Sequence, residues 1–133
     1  MSPQGSLNNT PQEITLENDT IVIQNFIEGI PGGKTLDVSN TTNDVIHAGH
    51  VIIEETATGV FKPLQITDGA YVALPSGHEY AGVLYVSISK SKPFASIMVR
   101  GTMNDMASQL LNNMPAVPEG VKSKLVLIRF TKD

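Results

Sequence analysis

The segment Ala81-Gly82-Val83-Leu84-Tyr85-Val86-Ser87-Ile88-Ser89 decides the fold class of this chain. In a strand, successive side chains alternate between faces, so Val83, Tyr85 and Ser87 share one side while Leu84, Val86 and Ile88 share the other. Both sides are largely apolar. That predicts a strand in the middle of a sheet, covered above and below.

Working outward, the neighbours of this strand are also short and β-like. Tyr71-Val72-Ala73-Leu74 lies between the turn signals Thr67-Asp68-Gly69-Ala70 and Pro75-Ser76-Gly77-His78. Val51-Ile52-Ile53-Glu54-Glu55 and residues 60–66, separated by Thr58-Gly59, predict a hairpin. Pro63 assigns its second strand to a sheet edge, because proline donates nothing to a ladder. Residues 20–24 and 35–38 predict further strands, with a turn at Ile30-Pro31-Gly32-Gly33 between them. On the other side, Ser89-Lys90-Ser91-Lys92-Pro93 reads as a solvated loop. A strand over residues 95–100 follows and ends at Gly101, and residues 125–130 predict a closing strand.

One helix is expected, at about residues 103–113. Met103, Met106, Ala107, Leu110, Leu111 and Met114 recur on one helical face; Thr102 is placed to cap it, and Asp105 favours its first turn. Pro115 and Pro118 stop it. The expected fold class is therefore mainly β: a small β-barrel or sandwich-like domain with one short helix. Residues 1–19 read as a flexible N-terminal arm, polar and then alternating, and residues 20–133 as a single β-rich domain.

Composition narrows the function. The 133 residues include no cysteine, which removes disulfides, thiolate metal sites and thiol nucleophiles. The net charge of −4 is unevenly spread: residues 1–50 carry six acids and one base, residues 51–133 seven acids and eight bases. No basic stripe with interleaved aromatics is present, so nucleic acid is not an expected partner. No apolar run is long enough to span a membrane, and the first residues lack the basic start and apolar stretch of a signal peptide.

Candidate chemistry is sparse. His47 and His50, with Glu54, are the one set to weigh as a metal site, of the kind a cupin-like enzyme uses. Residues three apart in a strand diverge, however, and no further ligand is signposted. They read as loop histidines flanking a strand start. His78-Glu79 has no nucleophile nearby in sequence, and no Gly-x-Ser-x-Gly elbow occurs. A sugar- or small-ligand-binding alternative requires an aromatic platform, for which Tyr71, Tyr80 and Tyr85 are the candidates. No catalytic residue, cofactor or small-molecule substrate is assigned. The expectation is a protein that binds other proteins.

Three stretches, "AGHVIIEETATGVFKPL", "DGAYVALPSGHEYAGVLYVSIS" and "ASIMVRGTMNDMASQLL", run entry strand, hairpin, turn, strand, Arg-Gly and helix in order. This order resembles the small capsid decoration proteins of tailed phages, of the lambda head-stabilising type. Gly82-Val83-Leu84 and Arg100-Gly101 are its best points, and it covers about half of the chain. The region before Ala48 is longer than in that family, which brings in a phage head-fibre protein, or its capsid-attachment domain, as an alternative. The resemblance implies a homotrimer, made in the bacterial cytoplasm and carried on the virion surface, whose partner is the lattice of the major capsid protein. It also implies a capsid-binding arm, for which Ile14, Leu16, Ile21 and Ile23 supply the apolar side chains. Such an arm adds a strand to a partner's sheet edge through backbone hydrogen bonds, and several arms per oligomer add avidity.

Overall fold

A computed structural model describes residues 18–132. In chain order its elements are α1 (Asp19–Val22), β1 (Ile23–Gly29), β2 (Lys34–Thr35), β3 (Val45–Ile46), β4 (Val51–Glu55), β5 (Phe61–Pro63), β6 (Ile66–Thr67) and β7 (Ala70–Tyr71). There follow β8 (His78–Leu84), β9 (Ile88–Ser89), β10 (Phe94–Ala95), β11 (Ile97–Asn104), α2 (Asp105–Asn112), α3 (Glu119–Lys124) and β12 (Ile128–Thr131). The chain is mainly β. Its principal sheet runs β12-β11-β8-β4-β5, with β1 also paired to β11, and three two-stranded sheets surround it. The sheet does not close on itself, so the barrel form of the expectation gives way to an open, layered one.

The central strands bury both faces. Val51 and Ile53 of β4 enter one hydrophobic cluster while Ile52 enters the other. Val83 and Met98 join the first, and their neighbours Leu84 and Ile97 the second. The first cluster also contains Val22, Ala107 and Val121, so the helices cover that face. The second is filled by Leu36, Ile46, Phe61, Ile88 and Ala95 from the short strands and loops. β8 pairs with β4 on one side and β11 on the other, the expected central place, but it spans His78–Leu84 and not residues 81–89: residues 85–87 leave the ladder, and Ile88 and Ser89 form β9, paired with β3. β8 stops at Leu84, because Ser87 turns its N–H and hydroxyl to Asp19 instead of a neighbouring strand.

The turns follow their sequence. Asp68 and Gly69 join β6 to β7 with φ of 54° and 76°, the left-handed pair that a two-residue hairpin needs. Pro63 lies on β5, the edge of the principal sheet.

Four further expectations are corrected. Residues 19–22 form a helical turn, not the start of a strand. The turn puts Asp19 and Val22, three apart, on one buried side and leaves Thr20 and Ile21 outside. The main helix begins later than Met103, which is a fully buried strand residue of β11; Asn104, not Thr102, caps α2 by accepting from the Ala107 N–H at 3.0 Å. The shift rotates the apolar stripe: Ala107 and Ser108 are buried, whereas Leu110 and Leu111 are 75% and 45% exposed. Finally, residues 119–124 are helical, and the last strand starts at Ile128 instead of residue 125.

Strands β11 and β12 are parallel, joined across α2 and α3. Asp105 holds that connection together. Its buried carboxylate accepts from the Val117 N–H at 3.2 Å and pairs with Lys122 at 3.4 Å.

Candidate functional site: an open edge strand

Strand β1 departs from the rule that strands hide at least one face. From Gln24 to Glu28 every residue is exposed, including Phe26 at 40% and Ile27 at 58%. Among the described residues its ladder is with β11 alone, and no strand among them pairs with its other edge. It contains no proline or lysine, the residues that commonly protect an edge. Its only charge, Glu28, is engaged by Arg100 at 3.5 Å.

The position of β1 is fixed by close packing on β11. Gly101 stands opposite Phe26 with φ of 154°, and a Cβ there would strike the Asn25 carbonyl oxygen and the Met98 sulfur. On the far side of Gly101 its N–H reaches the Leu127 carbonyl at 3.3 Å, and Ile128 is its register partner. One row across the sheet thus joins Phe26, Gly101 and the turn bearing Val126 and Leu127, which are 76% and 55% exposed. Phe26 itself stacks on Tyr85, ring centroids 4.2 Å apart. The next helical layer adds Ile21 on α1 and Leu110 and Leu111 on α2, with α1 tied to α2 by Asn18 and Asn112 at 3.3 Å. Exposed aromatic and aliphatic side chains on a sheet-edge strand, here Phe26 and Ile27, suit protein association.

Of the four apolar arm residues, Ile14 and Leu16 lie outside the described residues. Ile21 is exposed on α1, and Ile23 is buried at the start of β1. Asp19 is buried and bonded to Ser87, so the folded unit begins no later than Asn18. Sequence reading missed the most exposed part of β1, Asn25 to Glu28, because a strand open on both faces shows no alternation.

The histidines have structural roles. His50 is buried in the core side of its loop, and its Nε2–H donates to the Leu64 carbonyl at 2.7 Å. Its ring meets the edge of Tyr71, with centroids 5.5 Å apart. Burial lowers its pKa to about 4, against the opposing pull of the Leu64 carbonyl. His47 is half-buried and also lowered by desolvation, with Asp19 acting in the opposite sense. Glu54 is in β4, opposite Glu79 and Phe61. Among the described residues, no three His, Asp or Glu side chains converge as metal ligands do. The three tyrosines do not share a cleft: Tyr71 packs on His50, Tyr85 on Phe26, and Tyr80 lines a separate shallow depression with Leu74, Glu79 and Lys124. Burial raises the Tyr71 phenol, whose oxygen accepts from the Val51 N–H at 3.3 Å.

Lys90 is not the solvated tip its loop predicts. Its Nζ donates to the Thr41 carbonyl at 2.6 Å, fastening the loop that precedes β3. His78 opens β8, its Nδ1–H donating to the Ser76 carbonyl at 2.9 Å, and Glu79 is exposed. No helix among the described residues is long and apolar enough to cross a membrane. No protein-family model, no curated protein and no solved structure matches this chain.

Proposed function

We propose that this chain is a structural virion protein of a phage or prophage, which associates through β1 and decorates the outer surface of the capsid as a homotrimer. The observation that carries the reading is the open β1 edge with Phe26 and Ile27 exposed on it. Strand addition at such an edge supplies affinity through backbone hydrogen bonds, and the flanking apolar side chains supply register. The resemblance of residues 48–111 to head-stabilising proteins gives the partner: a lattice of major capsid protein. On this reading the chain works by binding, without catalysis or cofactor.

The test is a pelleting assay with capsid heads assembled from the major capsid protein of the same phage or prophage. Full-length protein co-sediments with the heads at a fixed ratio. Ile27→Lys, which adds a charge to the exposed face of β1 without touching the core, abolishes co-sedimentation and leaves the melting temperature unchanged. Full-length protein that stays in the supernatant at saturating concentration overturns the proposal.

A further inference from the structure

The chain enters the folded unit at a fixed point. The Asn18 Nδ2 donates to the side-chain oxygen of Asn112 at 3.3 Å, and the carboxylate of the next residue, Asp19, is held by Ser87. Residues 1–17 therefore meet the domain where α2 ends beside α1. An extended chain advances about 3.3–3.6 Å per residue, so the Leu16 Cα stays within about 7 Å of that of Asn18, and the Ile14 Cα within about 14 Å.

Apolar surface is left open at that point. α2 buries Ala107 and Ser108. Leu111, one turn beyond Ala107 on the same side of the helix, is nevertheless 45% exposed. Ile21, one turn beyond Asn18, is 47% exposed. Both are tied to the Asn18–Asn112 bond: Leu111 directly precedes Asn112, and the Ile21 N–H donates to the Asn18 carbonyl at 3.1 Å.

The segment leading in has the pattern to cover this surface. In Glu13-Ile14-Thr15-Leu16-Glu17 aliphatic and polar residues alternate, so an extended chain turns Ile14 and Leu16 to one side and Glu13, Thr15 and Glu17 to the other. One side matches an apolar surface and the other suits water. A single residue, Glu17, separates Leu16 from Asn18. Contact within the chain thus closes a very short loop at small entropic cost, whereas a second copy must pay the larger cost of association.

We propose that Ile14 and Leu16 pack on Leu111 and Ile21 of their own chain, so that residues 13–17 strap the end of α2 to α1. Such a strap serves the domain itself and stands independently of the capsid reading. The test is a double-mutant cycle on the full-length chain, read as urea midpoints at two protein concentrations. Leu16→Gln is made in wild type and in Leu111→Gln, Ile21→Gln and Ile27→Gln backgrounds. Leu16→Gln is expected to lower the midpoint of wild type, to lose most of that shift in the Leu111→Gln and Ile21→Gln backgrounds, and to keep it in Ile27→Gln. Ile21→Gln supplies the cycle on its own if Leu111→Gln does not fold. An unchanged midpoint for Leu16→Gln overturns the proposal, as does an equal shift in every background. Loss of the shift in Ile27→Gln alone places the segment on β1 instead, and a shift that grows with protein concentration places it on a second copy; either result also overturns the proposal.

Discussion

The carboxylate of Asp19 and the backbone and hydroxyl of Ser87, 68 positions apart in sequence, form a closed pair of hydrogen bonds. The Ser87 N–H donates to Oδ2 at 2.8 Å, and the Ser87 Oγ donates to Oδ1 at 2.7 Å. Ser87 Oγ in turn accepts from the Ala48 N–H at 3.0 Å. Three chain segments are thereby fixed at the point where β1 begins, so this pair sets where the open edge lies. Asp19→Ala leaves two buried donors unsatisfied and is expected to lower stability by about 2–4 kcal/mol, read as a lower urea midpoint at unchanged slope. Ser87→Ala keeps the carboxylate near its remaining donor and costs less.

His50 makes stability pH-dependent. Its pKa falls from 6.5 in the unfolded chain to about 4 in the folded one, because the buried site disfavours the charged ring. Between those values the unfolded state binds more protons, so stability rises with pH across that window and declines as the solution is acidified from pH 6.5 to 4. The loss is of the order of 3 kcal/mol. His50→Gln removes this contribution: urea melts of the variant at pH 7 and pH 4.5 differ by less than those of wild type.

Gly101 is a position where no side chain fits. Gly101→Ala drives a Cβ into the Asn25 carbonyl and the Met98 sulfur at a backbone angle that disfavours alanine. The expected cost is about 3 kcal/mol or more. Amide hydrogen exchange locates the damage: residues 23–29 lose protection before the β4–β8 ladder does.

The parts of the fold legible in the sequence are those where local chemistry and tertiary context agree. Residues 51–55 pair as a strand because their apolar run is bounded by turns, Asp68-Gly69 forms its hairpin turn, and Pro63 occupies an edge. Apart from the exposed stretch of β1, which has no alternation to read, the failures are tertiary overrides of local pattern. Residues 19–22 favour a strand by composition, yet the Asp19–Ser87 bonds and the burial of Val22 wind them into a helical turn. The segment Glu119-Gly120-Val121-Lys122-Ser123-Lys124 has no apolar stripe, and its one buried side chain is Val121. Its helix is anchored by Lys122 on Asp105 and Phe130. The histidines are legible as loop residues.

The exposed pair Leu110 and Leu111 distinguishes the helical surface from the strand edge. Leu110→Gln is expected to change stability by no more than about 0.5 kcal/mol, since its side chain is largely in water. If association runs over β1, the same substitution leaves the oligomeric state unchanged in sizing chromatography.

Association of copies through β1 is measured by light scattering behind a sizing column, across a dilution series. Wild type is compared with Ile27→Lys, a change at a 58% exposed position that adds a charge to the open edge without disturbing the core. Wild type is expected to be a trimer that persists on dilution, and the variant a folded monomer. A wild-type monomer at every concentration, or a trimer that Ile27→Lys leaves intact, contradicts association through β1.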